Sequence, residues 1–279
     1  MLKQNKSKVV VVLALVSLLA CRVHQQQHNQ KVRYQLVWAD EFTQNGLPNP
    51  KNWTYEKGFV RNEELQWYQP ENAFCKNGML IIEARKEQRA NPNYVDGSKD
   101  WRKNRKNIEY TSACLISRGL QSWQYGRFEM RGKINISSGL WPAFWTLGEK
   151  GAWPANGEID IMEYYKGKIL TNIARMGNHR KPKWFSTTKE VDQAWAKQFH
   201  VWRMDWDSAY IRLFVDDVLY LSVPLAELQN EDQQQLHPFQ QKHYVLFDLA
   251  MGGLNGGDLA ATKFPNRIEI DYVRVYQKN

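Results

Sequence analysis

Three carboxylates alternate with apolar residues in the stretch Glu158-Ile-Asp160-Ile-Met-Glu163, and this alternation constrains the fold more than any other feature. A β-strand places alternate side chains on one face, so Glu158 and Asp160 share a face. Strict alternation would place Glu163 on the opposite face. A single β-bulge around Ile161 and Met162 returns Glu163 to the face of Glu158 and Asp160, and bulges recur beside active sites. The sequence therefore predicts a bulged strand with three acids crowded on one surface.

Crowded carboxylates raise one another's pKa, which suits a glycosidase that needs one ionised and one protonated carboxyl group. The alternative is a half-exposed strand of a sandwich whose acids simply face solvent. Nearby indoles favour the first interpretation, because Trp141, Trp145 and Trp153 all precede the acids closely. Indole faces stack on the apolar faces of sugar rings, although the same residues are compatible with an ordinary core.

The segment from Trp153 to Glu163, Trp-Pro-Ala-Asn-Gly-Glu-Ile-Asp-Ile-Met-Glu, resembles the bulged active-site signature of glycoside hydrolase family 16. That family includes laminarinases and lichenases. Further resemblance lies in residues 38–42, 61–68, 117–119, 125–129 and 270–276, so it covers nearly everything after residue 33. It implies an all-β fold, a concanavalin A-like β-sandwich jelly roll whose concave sheet forms the substrate cleft.

The resemblance implies a retaining endo-glycosidase that hydrolyses internal bonds of β-1,3- or mixed β-1,3/1,4-glucan. It assigns Glu158 as nucleophile, Glu163 as general acid/base, and Asp160 as the neighbour that hydrogen-bonds to the nucleophile. Ionised Glu158 and Asp160 are expected to raise the pKa of Glu163 by like-charge repulsion and to keep it protonated. The spacing alone does not say which Glu has which role.

The same resemblance implies sugar contacts at six positions. These are Asn62, Glu64, Arg118, Trp141, Trp145 and Trp153. For Glu64 and Arg118 a structural role is an equal alternative, because buried polar side chains usually satisfy backbone groups. Two positions depart from the family, which often has His where this chain has Asn172 and Asn where it has Asp248. Both departures are expected to affect substrate contacts rather than the catalytic pair.

Catalysis is expected to need no cofactor, but many relatives carry a structural calcium ion on the face away from the cleft. The matching oxygen ligands are backbone groups near Glu41 and Gly78 together with the Asp271 carboxylate. No sequence motif demands a metal here. The ion would stabilise the fold and take no part in the reaction.

Residues 1–20 predict a lipoprotein signal peptide, because lysines precede an apolar run from Val9 to Ala20 that is too short to span a bilayer. Leu18-Leu-Ala-Cys21 matches a bacterial lipobox, in which Cys21 is acylated and becomes the mature N-terminus. The alternative is a plain signal peptide with a coincidental Cys. Residues 21–33 then form a flexible tether and residues 34–279 the catalytic domain. We expect lipid anchoring in the bacterial cell envelope, at the outer membrane or cell surface, with secretion as the alternative.

The composition excludes several other functions. The basic run 99–106 lies in a polar insertion without a recognition-helix or RNA-binding signature, so it does not indicate nucleic acid. Zinc-hydrolase, phosphate-loop and serine-esterase motifs are absent from the sequence.

Cys75 and Cys114 are expected either to pair or to lie buried as small apolar residues. We expect a monomer whose partners are a polysaccharide and, through the lipid anchor, a membrane.

Short alternating segments continue from Met79 to Tyr276 and include a hairpin that turns at Asp216-Asp217. The only predicted helix covers Leu225 to Leu236. The competing functions are a family 16 enzyme on agar or carrageenan, a transglycosylase, and a non-catalytic carbohydrate-binding surface lipoprotein. Intact Glu158 and Glu163 favour an enzyme.

Overall fold

The computed structural model describes residues 33–231 and 237–279. Its strands are β1 Tyr34–Asp40, β2 Thr54–Tyr55, β3 Gln66–Tyr68, β4 Ala73–Lys76, β5 Met79–Ala90, β6 Asn107–Ser112, β7 Cys114–Ile116, β8 Gly126–Lys133, β9 Leu140–Gly148, β10 Glu158–Tyr165, β11 Lys168–Met176, β12 Pro182–Glu190, β13 His200–Trp206, β14 Tyr210–Val215, β15 Val218–Pro224, β16 His243–Met251 and β17 Asn266–Lys278. The short helices are α1 Trp101–Asn104, α2 Gln193–Ala196 and α3 Gly253–Gly256, with 3-10 turns at Pro70–Asn72, Asn178–Arg180 and Leu225–Leu228.

The strands form two sheets that pack as a jelly-roll sandwich, as the sequence predicted. The ten-stranded sheet has the order β15-β14-β13-β8-β17-β5-β6-β3, with β1 on β17 and β4 on β5. The seven-stranded sheet has the order β12-β11-β10-β9-β16-β7-β2. Strands that are distant in sequence, such as β9 and β16, pair antiparallel at its centre.

Residues 36–277 form one compact unit, and among the described residues 33–35 and 278–279 belong to a second unit. Within the second unit, the Asn279 N–H donates to the Arg33 carbonyl at 3.2 Å. The predicted signal peptide 1–20, Cys21 and the tether up to residue 32 lie outside the described residues. In the part of the chain that is described, no helix has the length and apolarity needed to cross a membrane.

The core between the sheets follows from strand alternation. Buried and partly buried residues alternate along β8 and β13, whose inward side chains include Phe128 and Trp202. By contrast, β9 and β16 are buried on both faces over almost their whole length. One face packs on the core, where Phe144 and Phe247 stack with ring centroids 4.8 Å apart. The opposite face of the same two strands forms the cleft floor, and it carries Trp145.

Most predicted elements are confirmed, including β16 and the hairpin turn at Asp216-Asp217 between β14 and β15. Strand β12 was not predicted, although all nine of its residues pair with β11. The helix predicted from Leu225 is only a four-residue 3-10 turn within the described part. Cys75 and Cys114 are both free, buried thiols.

Of the three predicted calcium positions, Asp271 lies in β17, and Glu41 and Gly78 lie beside this strand. Leu80, two residues after Gly78, pairs with Ile270, and Arg274 binds the Glu41 carboxylate through two hydrogen bonds of 2.7 and 2.9 Å. The Asp271 carboxylate accepts a hydrogen bond from Arg131 at 2.6 Å. Among the described residues, no group of three or more His, Cys, Asp or Glu could hold a metal. A calcium ion would therefore depend on backbone carbonyls and on the remaining oxygen of Asp271, and the site stays a prediction.

Candidate active site

A cleft of about 570 Å³ opens on the concave face of the seven-stranded sheet. The three predicted acids and every predicted sugar contact except Arg118 line it. The Arg118 guanidinium instead lies 3.9 Å from Glu149 and over the ring of Tyr244. Sequence reasoning did not assign seven further lining residues, which are Arg61, Ala143, Leu147, Tyr165, Trp184, Ser186 and Asn255.

Strand β10 presents the three acids to this cleft. Asp160 pairs with Trp145 of β9, but the register shifts before Glu163 pairs with Ala143. The same shift separates Asp160 from Glu163 along the β11 side of the strand. This shift is the bulge that the sequence predicted, and it returns Glu163 to the face that carries Glu158 and Asp160.

Gly157 fixes the start of β10. Its φ of +77° is a left-handed conformation, and an added Cβ would lie 2.7 Å from the Cβ of Pro238. Any other residue would therefore strain the backbone and clash. The chain can then place Glu158 directly after the loop that carries Trp153.

Glu158 is partly buried, and its Oε2 accepts a hydrogen bond from Trp153 Nε1 at 2.6 Å. Burial raises the pKa of Glu158 to about 7, with a further rise from Glu163 and an opposing effect of the Trp153 N–H. A hydrogen bond between Asp160 and Glu158 lowers the pKa of Glu158 and raises that of Asp160. Asp160 is thus the protonated partner, which donates to the Glu158 carboxylate.

Glu163 is buried between two donors. Its Oε1 accepts from Trp141 Nε1 at 2.6 Å, and its Oε2 accepts from Asn172 Nδ2 at 2.7 Å. Burial raises the pKa of Glu163 well above its usual range, and the Asp160 and Asp248 carboxyls raise it further where they are ionised. Repulsion alone was the expected cause, but burial is the larger one. Burial and these carboxyls therefore favour the protonated form of Glu163.

The position of Asn172 corrects another expectation. Besides Glu163, its Nδ2 donates to Asp160 Oδ2 at 3.0 Å. Asn172, where the family often has His, therefore contacts the catalytic acids directly. Its effect is not limited to substrate contacts, as the sequence had led us to expect.

Asp248 belongs to a second pair of acids on the cleft floor. Its Oδ1 accepts from Trp145 Nε1 at 2.6 Å, and its Oδ2 lies 3.1 Å from the Tyr68 hydroxyl. The same hydroxyl lies 3.3 Å from Glu64 Oε2. Since a hydroxyl has one hydrogen, both contacts are hydrogen bonds only when one carboxyl is protonated. Burial raises the pKa of Glu64 to about 7 and that of Asp248 to about 6, so Glu64 keeps its proton to a higher pH than Asp248 does.

The loop that carries Asn62 and Glu64 has an uncommon backbone, with φ of +54° at Asn62 and +53° at Glu63. Arg105, from the basic insertion, donates to the carbonyls of Glu63, at 2.7 Å, and Glu64. The insertion therefore supports one wall of the cleft.

Comparison with known proteins places this cleft among carbohydrate-cleaving enzymes. Residues 62–274 match the model of the glycosyl hydrolases family 16. A β-glucanase of Rhodothermus marinus is 35% identical over an alignment of 300 positions, which covers 99% of this chain and 97% of that protein. The X-ray structure of the laminarinase from Rhodothermus marinus is 38% identical with a TM-score of 0.74, covering 90% of this chain and 100% of that one. A structure from work on endo-acting O-glycanases that initiate mucin breakdown in the human gut microbiota has a TM-score of 0.81 at 32% identity, covering 88% and 91%.

Proposed function

This chain belongs to family 16 of the glycosyl hydrolases, and we propose that it is an endo-β-glucanase that hydrolyses internal bonds of β-1,3- or mixed β-1,3/1,4-linked glucan. The observation that carries this function is the bulged strand β10, which presents Glu158 and Glu163 side by side in one cleft. Burial raises the pKa of Glu158 to about 7 and that of Glu163 well above its usual range, and we assign the ionised form to Glu158 and the protonated form to Glu163. A retaining glycosidase needs this combination.

In the first step, Glu158 attacks the anomeric carbon and forms a glycosyl ester. Glu163 transfers its proton to the glycosidic oxygen as the leaving chain departs. Asp160 supports this step, because its hydrogen bond to Glu158 stabilises the ionised nucleophile. The Trp153 N–H, 2.6 Å from Glu158 Oε2, has the same effect.

In the second step, Glu163 has to act as a base. Formation of the ester removes the negative charge of Glu158, and the two carboxyls interact electrostatically. The loss of that charge lowers the pKa of Glu163, since a neighbouring negative charge had favoured its protonated form. Glu163 then accepts a proton from water, which attacks the ester and releases a product of retained configuration.

A polysaccharide panel with product analysis tests the substrate class. Laminarin, mixed-linkage β-glucan, agarose, carrageenan and mucin O-glycans are incubated with the wild type and with Glu158→Gln as a matched inactive control. We expect oligosaccharides from laminarin or mixed-linkage glucan. Activity confined to galactose-containing chains would reject the β-glucan assignment, and binding without cleavage of any substrate would favour a non-catalytic module.

A second candidate is an endo-acting O-glycanase. It is favoured by the TM-score of 0.81 to the structure from the O-glycanase work, compared with 0.74 for the laminarinase. The departures Asn172 and Asp248 also fall within the cleft, where sugar contacts are expected to differ from those of laminarinases. Release of oligosaccharides from mucin, with laminarin left intact, would establish this alternative.

We propose lipid anchoring through Cys21 in the bacterial cell envelope, on the basis of the lipobox and the polar tether that follows it. Cys21→Ser should move the protein from the membrane fraction to the soluble fraction. A soluble wild type that begins at an unmodified residue beyond Cys21 would contradict the anchor and support secretion.

A further inference from the structure

Two of the chain's twelve tryptophans are strongly exposed, Trp153 at 49% and Trp184 at 44%. Both line the cleft. The other two cleft tryptophans, Trp141 and Trp145, are only 6% and 7% exposed, and their N–H groups are bonded to carboxyls. An exposed indole forgoes the free energy of burying its large apolar surface, so its location in a binding cleft calls for a ligand.

Strand β12 directs Trp184 into the cleft. Its neighbour Phe185 packs against the core on the opposite face, whereas Trp184 and Ser186 line the cleft. The strand lies at the edge of the seven-stranded sheet, where exposed charged residues such as Lys183 normally protect against aggregation. A large exposed apolar ring in this position runs against that protection, which argues that it has a function.

The strand register gives the distance of Trp184 from the nucleophile. Trp184 pairs with Ala174, and Ala174 pairs with Glu158, so two strand spacings, or ~10 Å, separate their backbones. Ala174 lies between Glu158 and Trp184, and its side chain is too small to separate the two side chains. In the next row Ser186 pairs with Asn172, and its hydroxyl lies on the same cleft surface as the indole. The indole therefore lies beyond the reacting sugar, along the direction in which the cleft crosses the strands.

We propose that Trp184 is the stacking platform of an outer subsite, which binds a hexopyranose ring of the polysaccharide away from the cleaved bond. This inference rests on the proposed function. The apolar C–H face of the ring covers the indole, and its hydroxyls remain available to Ser186 and to water. The cleft is thereby asymmetric, because the opposite flank is polar and carries Asn62, Glu64 and Asp248.

Substrates of different length test the outer subsite. Trp184→Ala should raise KM for laminarin and for long laminari-oligosaccharides by roughly 3- to 10-fold, the size of one lost aromatic contact. The kcat of these substrates and all kinetics of the shortest cleaved oligosaccharide should stay unchanged, because a short chain does not reach β12. Trp184→Phe should show a smaller rise. Tyr210→Ala removes an exposed aromatic from β14 in the other sheet and serves as the control without effect.

The melting temperature of each variant separates a local loss of stability from a loss of binding. An unchanged KM for long substrates in Trp184→Ala would reject the outer subsite. An equal rise for short and long substrates, or a fall in kcat alone, would indicate a structural role and reject it as well. If the wild type cleaves no β-glucan, the proposed function fails instead. The same variants are then compared on short and long fragments of the polysaccharide that it does cleave.

Discussion

Replacing Asp248 by asparagine should shift the basic limb of the pH–rate profile to lower pH. Asp248 pairs with Ala143, and Ala143 pairs with Glu163, so the two acids lie two strand spacings, or ~10 Å, apart. At that distance and an effective dielectric constant of about 20, Coulomb's law gives ~1.7 kcal/mol, or ~1.2 pKa units. The direction agrees with the contribution of Asp248 to the raised pKa of Glu163. Removal of the Asp248 charge therefore lets Glu163 lose its proton at a lower pH.

The substitution should leave the local structure intact. The introduced asparagine retains an oxygen for the Trp145 N–H, and its amide can donate to the Tyr68 oxygen while the Tyr68 hydroxyl turns to Glu64. The repulsion acts only where Asp248 is ionised, which is above its pKa of about 6. The basic limb reports the loss of the Glu163 proton, and burial holds the pKa of Glu163 well above its usual range.

The assay is kcat/KM for the cleaved polysaccharide as a function of pH, because this parameter reports the free enzyme. The midpoint of the basic limb should fall by about one unit in Asp248→Asn. Asp217→Asn is the matched control, since it removes an acid from an exposed hairpin turn whose φ of +63° an asparagine tolerates. A basic limb that stays in place or moves to higher pH would refute the electrostatic argument.

Asn172→Ala should move the same limb to higher pH, because the Asn172 amide stabilises ionised Glu163, and a downward shift would contradict this role. Azide should rescue Glu163→Ala on an activated aryl glycoside and give the β-azide, whereas Glu158→Ala should give the α-azide, read from the anomeric proton signals. The reverse outcome would exchange the two roles, and an inverted product from the wild type would reject the retaining mechanism. Added calcium should raise the Tm of the wild type but not that of Asp271→Asn. Equal rises of Tm in both proteins would contradict the predicted calcium site.

The bulge in β10 could be predicted because the two-residue period of a strand is strict. Glu163 breaks the parity of Glu158 and Asp160, and only an extra residue lets all three face the cleft. The same rule located β16 and the hairpin between β14 and β15. Local periodicity therefore identified the strand that carries the chemistry.

Trp184 was missed for the opposite reason. Its strand lies at the sheet edge with one face open, and only Phe185 and Trp184 mark it among polar residues. The alternation of Trp184 and Ser186 about Phe185 was the available signal, but it is too short to distinguish from a loop. The pair formed by Glu64 and Asp248 is even less visible, because Tyr68, which contacts both carboxyls, lies 180 positions from Asp248 in the chain.

The two departures from the family pattern act on the same group. The resemblance places His where this chain has Asn172, and a protonated imidazole beside Glu163 would lower the pKa of that acid more than a neutral amide does. It also places a neutral asparagine where Asp248 adds a negative charge, which raises the pKa of Glu163. Both changes favour the protonated form, although they lie on different strands, β11 and β16. In this chain the Asp248 carboxyl raises the pKa of Glu163 and the Asn172 amide lowers it, so residues on both sides of β10 act on the same carboxyl group.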